Sequence, residues 1–206
     1  MQLFIDLDNT LVDTSSFKHV FKHALAPLGV DSELFDKTKI AASGESWYQP
    51  YNFDRHLDLL LEAKPQLDRQ EARDKIIEAY AGIKNFLFPD AVPFLEEIGK
   101  QQNLESILFT FGHTEIQMVK IHSLGLEKYF GKIEITDKHK KYHFSGLPDH
   151  ELANSIYIND NVKECLEINE QLPTLKMIIR KIATPQPPHP FPVVLNLLEI
   201  NKFKLW

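Results

Sequence analysis

At 206 residues, 43% apolar and 25% charged, the chain has the composition of one globular domain or of a core domain carrying an insertion. A formal charge of −6 argues against a nucleic-acid partner, which needs a clustered basic face, and no run approaches the roughly 18 apolar residues of a membrane span. A single cysteine, Cys165, rules out an internal disulfide and a cysteine-rich metal site; with too few apolar residues before Asp6 for a signal peptide, the expected setting is a reducing cytoplasm.

The chain opens Met1-Gln-Leu-Phe-Ile-Asp6-Leu-Asp8-Asn-Thr10. Leu3, Phe4 and Ile5 read as a buried strand, and side chains two apart on an extended segment point the same way, so Asp6 and Asp8 converge at a strand tip. Two anions repel by about 4 kcal/mol at 4 Å and an effective dielectric near 20, which calls for a metal or for acid/base work. Asp8 and Asn9 alone would also suit a simple turn. An EF-hand loop is excluded, since Leu11 stands where glycine is needed and Phe17 where glutamate is needed.

Residues 14–84 show no strand alternation and read as helices. Phe17, Val20, Phe21 and Leu25 recur at helical spacing, as do Leu57, Leu60 and Leu61, and Asp68 with Glu71 three residues later marks a helix start for Arg69–Tyr80. From Phe88 the pattern alternates. Helices are expected over Val92–Gln101, Glu115–Leu124 and Val162–Gln171; strands are expected over Ser106–Thr110, Ile133–Thr136, Ile156–Asn159 and Met177–Ile179. Such alternation implies βαβ crossovers and a parallel sheet covered on both faces, with ligands beyond the carboxyl ends of the strands. Thr184–Pro192, with five prolines, reads as a stiff connector to a last helix, Val193–Ile200.

The strand ends in order carry Asp6 and Asp8, Thr110 in Leu108-Phe-Thr-Phe-Gly112, the lysines of Asp137-Lys-His-Lys-Lys-Tyr142, and Asn159-Asp160-Asn-Val-Lys-Glu164. In these four motifs the chain resembles the haloacid dehalogenase-like hydrolase superfamily, with Asp6-Leu-Asp8-Asn-Thr10 matching its DxDxT first motif. The resemblance implies a three-layer α/β fold, a Rossmann-like parallel-sheet core over residues 1–13 and 86–206, and a helical cap over 14–85.

The resemblance also implies a phosphatase acting on a small phosphorylated metabolite, with no nucleic-acid or membrane partner. Asp6 would attack phosphorus to give an aspartyl-phosphate, and Asp8 would serve as general acid and then base. Mg²⁺ would be held by Asp6, Asp8 (through its carbonyl), Asp160 and, through water, Glu164. Thr110 with the backbone amides of Phe111 and Gly112 would bind phosphate oxygens. The third-motif lysine is one of Lys138, Lys140 and Lys141; Lys138, nearest the strand, is preferred. Phe111 stands where the second motif often has Asn or Ser, Asn159 where the fourth commonly has Gly, and the usual Lys-Pro is absent. A sugar phosphomutase and a catalytically weak binding or regulatory protein are the alternatives; a dehalogenase is disfavoured because those relatives lack an acid at the Asp8 position. Ser43-Gly-Glu-Ser-Trp47-Tyr48 is a candidate substrate loop, and His113 a candidate substrate-facing residue.

Overall fold

A computed structural model describes residues 1–43, 51–181 and 187–203. Six parallel strands form one sheet in the order β3-β2-β1-β4-β5-β6: β1 Gln2–Ile5, β2 Glu105–Phe111, β3 Lys132–Thr136, β4 Ser155–Asn159, β5 Lys176–Arg180 and β6 Val193–Val194. The order reverses beside β1, the position at which open α/β sheets leave a crevice for ligand. Phe4 and Ile5 of β1, Leu108 and Phe109 of β2, and Tyr157 and Ile158 of β4 are all buried, as strands covered on both faces require.

Between β1 and α5 (Ala91–Ile98), which leads into β2, the described residues make the helices α1 Thr14–Phe21, α2 Ser32–Ala42, α3 Phe53–Ala63 and α4 Arg69–Ala81. Each has a side-chain cap, with Asp13, Asp31, Asn52 and Asp68 accepting from the amides of Ser16, Leu34, Arg55 and Glu71. The inserted helices leave and return side by side: the Asp13 amide donates to the Phe86 carbonyl at 2.8 Å, and the Phe88 amide to the Leu11 carbonyl at 3.0 Å. Phe17, Phe21, Phe35 and Tyr80 pack with Leu3 and Ile5 in one continuous cluster, so cap and sheet share a core. Val20, expected on that apolar face, is 59% exposed instead.

The remaining helices are α5 Ala91–Ile98, α6 Thr114–Leu124, α7 Lys141–Phe144, α8 Asp149–Ala153 and α9 Val162–Gln171. A buried ion pair closes the far side of the sheet: Arg180 at the end of β5 donates twice to Asp90, both at 2.9 Å, and Asp90 also accepts from the Leu197 amide at 2.7 Å. The expected helix Val193–Ile200 is corrected. Val193 and Val194 pair with Ile179 and Arg180 as an edge strand, and a 3-10 helix follows over Leu197–Phe203. Part of the proline-rich connector, and the loop after Ser43, lie outside the described residues.

Candidate active site

Asp6 continues β1 beyond its last strand residue, its amide donating to the Ile158 carbonyl at 3.0 Å. Its carboxylate is buried, and Lys140 Nζ lies 2.5 Å from Oδ1. Lys140 also donates to the Tyr157 hydroxyl at 2.7 Å and sits 3.7 Å from Glu164 Oε2. The preference for Lys138 is therefore corrected. The Thr136 hydroxyl accepts from the Lys138 amide at 3.1 Å and donates to its carbonyl at 3.0 Å, a turn that leaves Lys138 exposed, whereas Lys140 is buried against Asp6.

Glu164 Oε2 accepts from Asn159 Nδ2 at 2.7 Å and from the Tyr157 hydroxyl at 3.2 Å, which sets this carboxylate oxygen beside Lys140. The Asn159 side chain thus ties the end of β4 to α9, while its Oδ1 accepts from the Asn161 amide at 3.2 Å.

Burial pushes the Asp6 carboxyl up to about 6 against the pull of Lys140, and burial together with the Asp6 charge pushes Asp160 up to about 8. Burial would lower Lys140, but the charges of Asp6 and Glu164 outweigh it and hold the ammonium well above the ordinary lysine range.

Asp8 is set differently. Asn9 takes a left-handed conformation (φ +58°) that asparagine tolerates, and its Oδ1 accepts from the Ser15 amide and hydroxyl at 3.0 and 2.9 Å. The Asp8 carboxylate then meets Lys120 Nζ at 2.8 and 2.9 Å, the Thr14 hydroxyl at 2.5 Å and Gln117 Nε2 at 3.1 Å. Burial opposes its ionisation, but Lys120 and these hydrogen bonds prevail and hold the carboxyl down at about 2. Neither Lys120 nor Gln117 was anticipated. The available signal is a lysine and a glutamine three apart within the stretch Ile116–Ile121 of α6, where both prove buried.

Thr110 is buried at the end of β2, its hydroxyl oxygen accepting from Gln117 Nε2 at 2.6 Å, and the Phe111 carbonyl accepts from the same nitrogen at 2.9 Å. Gly112 has φ +149°, and a Cβ there would sit 3.2 Å from the Gln117 side chain. Its amide, expected to donate to phosphate, donates instead to the Thr136 carbonyl at 2.9 Å, extending the β2–β3 pairing by one residue. Amides of the first turn of α6, which has no side-chain cap, are donors available at this end of the sheet.

The donor set fits Mg²⁺. Among the described residues no three His, Cys, Asp or Glu side chains are grouped for a metal, so a metal here would need carbonyl, water or substrate oxygens as well. Asp6 and Asp160 are two carboxylates whose proton affinity is raised, at Asp6 by burial with the charges of Asp8 and Glu164 and at Asp160 by burial with the charge of Asp6, and the Asp8 carbonyl accepts no backbone hydrogen bond among those described. One or two carboxylates with carbonyl, water and substrate oxygens is the donor set Mg²⁺ commonly takes.

The profile of the haloacid dehalogenase-like hydrolases matches residues 2–155, so that Asp160 and Glu164 lie beyond the matched stretch. No curated protein sequence matches the chain. Among solved structures, a haloacid dehalogenase-like hydrolase from Burkholderia xenovorans is similar at TM-score 0.76 and 16% identity, over 95% of this chain and 94% of that one. The HAD-hydrolase YfnB from Bacillus subtilis, solved bound to magnesium, is similar at TM-score 0.66 and 16% identity, over 98% and 97%. L-2-haloacid dehalogenase from Xanthobacter autotrophicus is similar at TM-score 0.64 and 14% identity, over 98% and 97%. Identities this low speak for the fold alone, whereas the profile spans most of the chain: it belongs to the haloacid dehalogenase-like hydrolases.

Proposed function

We propose that the protein is a Mg²⁺-dependent phosphomonoester hydrolase that acts on a small phosphorylated metabolite through an aspartyl-phosphate on Asp6. The observation that carries this reading is the different treatment of two neighbouring aspartates. Asp6 sits against Lys140 and near Asp160, while Asp8 is held apart from them by Lys120, Thr14 and Gln117. A carboxylate nucleophile and a separate carboxyl for proton transfer are the two groups that phosphoryl transfer through an enzyme-bound ester needs.

Mg²⁺, when bound by Asp6 and Asp160 with the Asp8 carbonyl, supplies the charge that lets an anionic nucleophile and a phosphoryl group approach. Lys140 adds to that charge and fixes the Asp6 rotamer. Asp6 attacks phosphorus, and the Thr110 hydroxyl with the open first turn of α6 steadies the equatorial oxygens. Asp8 as drawn is an anion, the form required of the base that activates water in the second step. In the first step a phosphoryl dianion beside it raises its proton affinity by like-charge repulsion, which opposes Lys120 and suits it to carry the proton to the leaving oxygen.

Phosphate release from a panel of phosphorylated metabolites with Mg²⁺ tests the reading. Release that depends on the metal and is lost in Asp6→Asn supports it. Halide release from 2-haloacids without metal, and no phosphate release, would replace it with a dehalogenase.

A further inference from the structure

Behind Asp8 lies a cavity of about 290 Å³ between the inserted helices and α6, whose walls include Asp8, Gly112 and Gln117. Asp6, Lys140 and Asp160 do not line it, so it opens on the leaving-group side of Asp8. Its charge is the reverse of the chain's. The protein carries a net −6, yet among the described residues the exposed Lys18, the half-buried Lys39 and the buried Lys120 line this space against one carboxylate, Asp8, which is already bonded to Lys120.

Lys39 is the least satisfied of the three. On α2, its ammonium stands 4.5 Å over the Phe21 ring and 5.9 Å from the Tyr51 ring, with no hydrogen-bond acceptor or carboxylate partner among the described residues. Contact with ring faces offsets only part of the cost of withdrawing an ammonium from water. Burial and the charges of Lys18 and Lys120 outweigh the charges of Asp36 and Asp8 and depress its pKa to about 8, which still leaves it mostly charged at neutral pH.

Hydrogen bonds tie its surroundings together. The Tyr51 hydroxyl is 2.6 Å from His56 Nδ1, and His56 Nε2 is 3.0 Å from the Thr38 hydroxyl, which ties Tyr51 and α3 to the turn of α2 next to Lys39. Phe17, Phe21 and Tyr80, each almost fully buried and packed ring against tilted ring, supply an aromatic wall. An apolar cavity of about 150 Å³ accommodates benzene, so this one has room for a ring and one further substituent.

We infer that Lys39 receives a second anionic group on the substrate, so that the leaving group is an acidic compound with an apolar body, not a neutral sugar or alcohol. The inference rests on the phosphatase reading for its chemistry but not for its binding site. The site is an ammonium over aromatic rings with no hydrogen-bond or ion-pair partner among the described residues, in a space that Asp8 lines and Asp6 does not.

The test compares two esters of the same size and shape, 4-carboxyphenyl phosphate and 4-carbamoylphenyl phosphate, which differ by one charge. The wild-type protein with Mg²⁺ should prefer the carboxylate by about 10- to 100-fold in kcat/KM, the range of a charge-assisted hydrogen bond. Lys39→Met should bring the ratio near one and Lys39→Arg should retain most of it, with thermal melts confirming that both variants fold. A ratio near one in the wild type, or an unchanged ratio in Lys39→Met, overturns the inference. Binding separates the two readings: calorimetric titration of both esters into Asp6→Asn, and into the same protein carrying Lys39→Met, is informative even if no ester is hydrolysed. Tighter carboxylate binding that disappears with Lys39 supports the pocket while the phosphatase reading falls; equal affinities overturn the pocket.

Discussion

The two halves of the site are set by charge of opposite sign. Around Asp6 the carboxylates of Asp6 and Glu164 meet the buried ammonium of Lys140, and both Asp6 and Asp160 hold their protons more tightly than usual. Around Asp8 the cations are in excess, and its carboxyl is pulled down to about 2. On the phosphatase reading the Asp6 side would take a cation and the Lys39 side an acid group of the substrate, with the scissile bond between them.

The comparison is broken most completely at Asp6. Asp6→Asn should reduce phosphate release by at least about 10⁴-fold, because it removes the nucleophile, while the fold is retained by circular dichroism. Asp8→Asn should cost about 10²- to 10⁴-fold in kcat, the usual share of general acid/base catalysis, measured on an ester with a poor leaving group. If both variants lose the same modest factor, the two aspartates do not differ as their surroundings indicate.

Stability sharpens the contrast on the lysine side. Lys140→Met leaves Asp6 and Glu164 facing each other without a buried cation and should lower unfolding stability by about 3–5 kcal/mol in urea titration at pH 7 without metal. Lys138→Ala, on the exposed turn, should change it by less than about 0.5 kcal/mol. A smaller and slower effect belongs to the cap. Burial and the Lys39 charge lower the His56 pKa to about 4, so as pH falls from about 6.5 the unfolded chain takes up a proton that the folded chain refuses. Stability is then lost between about pH 6.5 and 4, on the order of 2–3 kcal/mol, and His56→Gln should flatten the melting temperature over that interval.

Much of this was readable from residue order. An apolar run ending in alternating aspartates, repeated strand-helix spacing and capping residues are local signals, and they located β1 to β5, α4 and α9 to within a residue or two. What failed depended on contacts distant in sequence. Lys138 is nearer the strand, but the Thr136 hydroxyl turns the backbone there and it is Lys140, at the head of α7, that returns to Asp6. The edge strand β6 is two residues long, too short for any periodicity, and α7 and α8 are single turns. Lys120 and Lys39 gave no motif at all. Their meaning comes from Asp8 lying 112 residues from one and from two aromatic rings lying under the other.

The central claim is that phosphorus passes through Asp6. Rapid acid quenching during turnover of a phosphate ester with Mg²⁺, followed by mass mapping of the peptide that contains residues 1–13, tests it directly. The account predicts a phosphoryl group on Asp6 in the wild-type protein and none in Asp6→Asn; steady phosphate release with the Asp6 peptide never phosphorylated would contradict it.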